Sequence, residues 1–138
     1  MVGAGIIKMK KISINLLSPD LKALAARQWK DYRQHTPGTY FGEQNEDLTI
    51  EDAYAVQMEV SRLRCKAGDV IVGYKVGCVG PGVVEQFGMA GPVYGRVFRT
   101  EIHNSGKKLK YNDFKNLAIE GEMAVLIRSD GTITNAFP

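Results

Sequence analysis

The texture of the chain changes at Gly68-Asp69. Before that point apolar residues recur at helical spacing. After it they gather in β-branched runs bounded by glycine, such as Val70-Ile71-Val72-Gly73-Tyr74-Lys75-Val76. Helices first and strands afterwards argue for an α+β fold rather than alternating βαβ units. The sequence has 138 residues. That is about one domain, able to bury roughly two-thirds of its unfolded surface.

The spacing predicts two helices. Ser18 can cap the first, Pro19 fits its first position, and Asp20 suits the positive helix end. Leu21, Leu24, Ala25, Gln28, Trp29 and Tyr32 follow the helical period, with Trp29 and Tyr32 expected in the core. The segment stops before Pro37-Gly38. A second helix starts at Thr49, with Asp52 three residues on as a relative of the capping box. Ile50, Ala53, Tyr54, Met58 and Leu63 form its expected buried stripe, and Gly68-Asp69 ends it.

Strands are expected over Val70 to Val76, Val93 to Phe98 and Ala118 to Ile127, with Ile133 to Phe137 returning after a turn at Ser129-Asp130-Gly131. The organisation is therefore an extension over 1–17, a helical region over 18–68 and a β region over 69–138 in one domain. The last predicted strand ends beside Pro138. The covering layer of the sheet is expected from the helices, from a partner chain, or from further sequence of a longer protein.

A net charge of +3 is too mild to argue for nucleic acid, and no basic stripe interleaves with aromatics. Lys107-Lys108-Leu109-Lys110 reads as a solvated loop. No apolar run approaches the roughly 18 residues a membrane span needs. The N-terminal lysines follow the short apolar stretch instead of preceding it, unlike a signal peptide. Cytoplasm is the expected location. Cys65, at a helix end, and Cys78, after a strand, lack zinc-site spacing and read as free thiols. His35 and His103 read as surface histidines. Val76-Gly77-Cys78-Val79-Gly80-Pro81-Gly82 fits neither nucleotide-binding glycine pattern.

Two places carry candidate chemistry. Glu120 and Glu122 flank Gly121 within an apolar run. In a strand they would share a face, about 7 Å apart. That arrangement suits either a solvent-facing edge or a hard divalent cation, Mg²⁺ or Mn²⁺, which takes oxygen ligands. Lys75 lies in an apolar strand between Gly73 and Gly77. It reads either as an exposed lysine, with Tyr74 and Val76 turned inward, or as an acid–base group or electrostatic clamp. The flanking glycines fit close approach by a ligand or another backbone.

Four segments occur in order: Ala53-Tyr54-Ala55-Val56-Gln57, the run from Gly68 to Gly77, the run from Glu85 to Phe98, and the run from Leu117 to Ile127. Together they resemble the 2-keto-4-pentenoate hydratase and 4-oxalocrotonate decarboxylase group of the fumarylacetoacetate hydrolase superfamily. The resemblance covers about residues 18 to 138. It implies a helical N-terminal region followed by a mixed β-sandwich or roll, of which this sequence would be the first half. It implies Mg²⁺ or Mn²⁺ held by Glu120 and Glu122, with a third carboxylate about thirty residues further on, past Pro138. It assigns catalysis to Lys75 and substrate contact to Gly77 and Gly95. Two departures touch the substrate pocket. Cys78-Val79-Gly80 stands where relatives carry Leu-Thr-Ser, and Val93 stands where many carry an aspartate.

The implied activity is that of a lyase, hydratase or decarboxylase, on unsaturated 2-oxo acids such as 2-oxopent-4-enoate in aromatic-compound catabolism. The cation and Lys75 would stabilise the enolate formed when a C3 proton leaves. The alternatives are an acylpyruvate C–C hydrolase using the same metal pair, and a non-catalytic or truncated partner subunit. A homo-oligomer, or association with a related subunit, is the expected assembly.

Overall fold

The computed structural model describes residues 17–36, 38, 48–115 and 117–137. The predicted extension over 1–17 therefore lies outside the described residues except for Leu17. The chain divides into two units, Met1–Lys108 and Leu109–Pro138.

In the first unit the order is α1 (Pro19–Arg33), α2 (Ile50–Lys66), β1 (Ile71–Gly77), α3 (Pro81–Gln86) and β2 (Val93–Phe98), then a 3-10 turn over Arg99–Glu101. Both long helices begin as the sequence predicts. The Ser18 hydroxyl accepts from the Leu21 N–H at 3.2 Å. At α2 the capping box is complete. Asp52 N–H donates to Thr49 Oγ1 at 3.1 Å, and Thr49 N–H donates to Asp52 Oδ2 at 3.2 Å.

Among the described residues, the three α-helices of this unit end alike. At α2, Gly68 has φ +103°, its N–H donates to the Cys65 carbonyl, and Asp69 N–H reaches the Arg64 carbonyl. At α3, Gly88 has φ +60°, with Gly88 N–H on Glu85 and Met89 N–H on Val84. At α1 the left-handed position belongs to His35, φ 51°, with its N–H on Tyr32 and Thr36 N–H on Asp31. These are Schellman ends, which satisfy otherwise orphaned carbonyls.

Leu24, Ala25 and Val56 form the core between α1 and α2, with Leu21, Leu48 and Val60 packed around them. The buried face of α2 differs from the expected stripe. Ala55, Val56, Glu59, Ser61 and Arg64 are buried, whereas Ile50 and Ala53 are exposed and Tyr54, Met58 and Leu63 are only half-buried. The polar members are tolerated because they are partnered. Glu59 holds Arg62 at 2.7 Å, and the Ser61 hydroxyl donates to the Gln57 carbonyl at 2.7 Å. Trp29 is half-buried and Tyr32 exposed, which corrects their assignment to the core. They stack on each other at 5.6 Å, and Arg64 lies over the Tyr32 ring at 4.8 Å.

β1 and β2 pair antiparallel, with Gly73 opposite Val97, Tyr74 opposite Arg96, Lys75 opposite Gly95, Val76 opposite Tyr94 and Gly77 opposite Val93. Tyr74 and Val76 are exposed rather than turned inward.

The second unit holds a 3-10 turn over Tyr111–Asp113 and an antiparallel pair, β3 (Ala124–Ile127) and β4 (Ile133–Phe137). The predicted turn closes this hairpin. Gly131 has φ +85°, Asp130 Oδ1 accepts from the Thr132 N–H at 2.9 Å, and Arg128 N–H donates to the Thr132 carbonyl at 2.9 Å. The expected strand over 118–127 is shorter than predicted. Its ladder starts at Ala124, opposite Phe137, and residues 118–123 have no strand beside them among the described residues. Without a ladder partner an apolar, β-prone run has nowhere to place its backbone hydrogen bonds as a strand. Among the described residues, no helix is long and apolar enough to cross a membrane. The class is α+β, with helices and two small antiparallel sheets.

Candidate functional site

Lys75 sits in the middle of β1, and its side chain is exposed. Alternation along the strand puts Gly73 and Gly77 on its face, and the ladder puts Gly95 directly opposite on that same face. The nearest same-face positions around the lysine thus carry no side chains. A methyl group built at Gly73 or Gly95 would meet nothing within 4 Å, and one at Gly77 would meet only Val93 Cγ2 at 3.8 Å. The result is a cationic side chain whose nearest same-face positions, along its own strand and directly across the ladder, are bare backbone.

The opposite face carries Tyr74, Val76, Tyr94 and Arg96. There α2 grips β2. Tyr94 donates its N–H to Tyr54 Oη at 3.2 Å, and its carbonyl accepts from Gln57 Nε2 at 3.0 Å. Gln57 Oε1 accepts from Arg96 Nη1 at 2.8 Å, and the Tyr54 and Tyr94 rings stack at 4.6 Å. Tyr54 and Gln57 belong to the Ala53–Gln57 segment; the sequence placed Tyr54 in the buried stripe of the helix and gave Gln57 no role. The available signal was an amide placed between apolar helix positions.

A second polar centre lies at the other end of β2. The nearly buried Arg64 donates from Nε to Asp69 Oδ2 at 2.8 Å, from Nη1 to Glu101 Oε1 at 2.8 Å and from Nη2 to Thr100 Oγ1 at 2.9 Å. Its guanidinium also lies 3.8 Å from the Phe98 ring centre. Burial opposes the charge, but the hydrogen bonds that Arg64 donates to Glu101 and Asp69 outweigh it and hold the guanidinium above its usual value. The Thr100 hydroxyl, then Arg64 and the backbone N–H groups of Val70 and Thr100, bring the Asp69 carboxyl down to about 2 against the opposing effect of burial. This is a structural knot, since every group in it is engaged.

Two cavities adjoin these features. One of about 430 Å³ is lined by Gln28, Val56, Gln57, Arg96 and Phe98 among others. Another of about 460 Å³ is lined by Trp29, Arg33, Arg64 and Asp69 among others. Lys75 lines neither.

In the second unit, Glu120 and Glu122 precede β3 in irregular chain outside the ladder, and both are exposed. The predicted half-buried strand face is therefore not formed around them, and their desolvation is not at issue. Two carboxylates on either side of a glycine offer the oxygen donors that Mg²⁺ and Mn²⁺ take, and Mg²⁺ commonly binds through one or two carboxylates while keeping waters. The donor chemistry fits such an ion. Among the described residues, no group of three or more His, Cys, Asp or Glu gathers to hold a metal. Cys65 is exposed on the last turn of α2, and Cys78 follows β1 with φ 54°. His103 is exposed in a loop.

The sequence matches several curated hydratases. It is 27% identical over 85 residues to a 2-hydroxypent-2,4-dienoate hydratase of Pseudomonas putida, and 30% identical over 86 residues to a 2-keto-4-pentenoate hydratase of Burkholderia vietnamiensis. It is 31% identical over 81 residues to a 2-oxo-hept-4-ene-1,7-dioate hydratase of Escherichia coli.

Over about 60% of its length the chain resembles curated 2-keto-4-pentenoate hydratases.

The matches take in 61%, 62% and 59% of this chain, but only 38%, 32% and 30% of those hydratases. The chain thus spans about a third of the length of the curated relatives it matches. No protein-family model matches it.

Proposed function

We propose that this chain carries part of the active centre of a hydratase, a lyase acting on an unsaturated 2-oxo acid such as 2-oxopent-4-enoate, a compound class met in aromatic breakdown. The observation that carries the reading is the glycine-framed lysine, with Gly73, Gly77 and Gly95 baring the backbone around Lys75. The names of its relatives, all hydratases of 2-oxo acids or their dienol forms, support the same class.

In this reading Gly77 and Gly95 admit the substrate to the floor beside Lys75. The Lys75 ammonium donates a hydrogen bond to the keto oxygen at C2 and steadies the negative charge that develops there as a C3 proton leaves. Glu120 and Glu122 would hold Mg²⁺ or Mn²⁺, which when bound supplies Lewis-acid chemistry. Decarboxylation would draw on the same electron sink. The two antiparallel pairs would be pieces of a β-sandwich or roll.

A second reading rests on the exposed apolar residues of the second unit, among them Ile119 at 92% and Met123 at 73% exposure. Apolar surface of this kind suits a covering partner. The chain would then serve as one subunit beside a second copy or a related subunit.

Mn²⁺ binding followed by electron paramagnetic resonance, together with hydration of 2-hydroxypenta-2,4-dienoate, tests the first reading. Binding that disappears in Glu120→Gln, with turnover lost in Lys75→Met, is the expected result. Full activity of Glu122→Gln at saturating Mg²⁺ would overturn the metal role. Absence of turnover in the folded chain alone, restored by a full-length relative, would favour the subunit reading.

A further inference from the structure

Tyr94 turns both backbone groups away from β1, its N–H to Tyr54 Oη and its carbonyl to Gln57 Nε2. Along an antiparallel ladder, backbone groups alternate between facing the partner strand and facing away. Gly95 therefore turns its N–H and carbonyl to Lys75, its partner in register. The next residue, Arg96, is tied back to the same Gln57 through Nη1. One glutamine side chain thus holds the residues on both sides of Gly95. It uses its donor end for Tyr94 and its acceptor end for Arg96.

Gly95 has no side chain to hold its own place, and neither do Gly73 and Gly77 along β1. Glycine-rich strands specify register weakly and keep more backbone freedom than others. The floor around Lys75 is made of the residue type least able to keep it flat, so its rigidity has to be imported from the helix side.

We propose that Gln57, assisted by Tyr54, is a positioning residue for Lys75. It locks the Tyr94-Gly95-Arg96 segment so that the Gly95 backbone stays paired with Lys75 and the ammonium keeps a fixed height over the glycine floor. The proposal rests on the reading of Lys75 as the working lysine, but the clamp itself can be tested without turnover.

The experiment is amide hydrogen exchange by NMR on the full chain, with titration of the Lys75 side chain in the same samples. Gln57→Met removes both polar ends at similar length. Gln57→Glu keeps an acceptor for Arg96 but has no donor for the Tyr94 carbonyl. Tyr54→Phe removes the hydroxyl and leaves the ring to stack. Loss of one such hydrogen bond corresponds to roughly five- to tenfold faster exchange where the ladder is loosened. In Gln57→Met the Lys75 and Gly95 amides are expected to exchange faster by that factor, with α1 and α2 amides unchanged and the Lys75 midpoint displaced. Gln57→Glu and Tyr54→Phe give smaller changes at the same amides.

Unchanged exchange at Lys75 and Gly95 in all three variants overturns the proposal. So does acceleration spread evenly over the helices, or a Lys75 midpoint that stays at its wild-type value. If Gln57→Met fails to fold, Gln57→Glu and Tyr54→Phe decide alone. Turnover separates the two claims. A loosened ladder with turnover that Lys75→Met leaves unchanged upholds the clamp and refutes the catalytic reading, whereas turnover lost in Lys75→Met with an unaltered ladder in the Gln57 and Tyr54 variants does the reverse.

Discussion

Arg64 Nη1 lies 2.8 Å from Glu101 Oε1, although 37 positions of sequence separate them. The same guanidinium holds Asp69 and Thr100, so it ties the end of α2 to the turn after β2. Removing it leaves two carboxylates facing each other without their cation. Arg64→Met is expected to destabilise the first unit by about 3 kcal/mol, read from the urea midpoint at constant slope. Arg64→Lys recovers only part, because an ammonium cannot fork to several partners in one plane.

Acid should reveal the same knot. The Asp69 carboxyl lies at about 2 in the folded chain against an ordinary 3.8. A depressed value means the folded state binds the proton less readily than the unfolded state does. Its stabilising contribution is therefore complete above the ordinary value and drains away as pH falls towards about 2. Urea midpoints over that window should drop in the wild type and drop less steeply in Asp69→Asn. Some slope remains in the variant, since Arg62 holds Glu59 low and the Thr132 N–H and hydroxyl hold Asp130 low.

His35 occupies a left-handed position that the ends of α2 and α3 give to glycine. A side chain there carries a penalty of about 1 kcal/mol, and no hydrogen bond of the Schellman end depends on the imidazole. His35→Gly should raise thermal stability by a fraction of that figure, after the entropy of the added glycine is counted. Gly68→Ala, at φ +103°, should lower it by about 1 kcal/mol. Thermal melts of the pair are the check.

At Gly95 an added side chain meets open space, so the fold should accept one. Gly95→Val is expected to change stability by less than about 0.5 kcal/mol. It would still crowd the face that Lys75 shares. If the hydratase reading holds, KM rises severalfold while the melting temperature stays put. A variant with unaltered KM would move substrate contact away from this face.

What could be read from the chain was local. Ser18, Thr49 with Asp52, and Gly131 each act on backbone within a few residues, so their helix starts and turn follow from the sequence. β2 and β4 kept their predicted limits because a partner strand exists for their whole length. Ala118 to Met123 failed as a strand for the opposite reason, since β-propensity cannot supply a neighbour. Arg64 and Gln57 were passed over because charge and amide read as surface, and only contacts from distant segments make burial tolerable for them. Lys75 stood out in the sequence by its flanking glycines, but Gly95 across the ladder depends on a register the sequence does not spell out.

Gln57 and Arg64 stand seven positions apart on α2, about 10 Å along its axis. They hold β2 near its two ends, one at Tyr94 and the other at Phe98 and Thr100. A strand fastened at one end can be peeled away bond by bond under a small force. Fastened at both ends, it shares a load between its attachments. Pulled along its length, this strand should part from the helix in one abrupt rupture, and the sheet should reach the breaking point still flat.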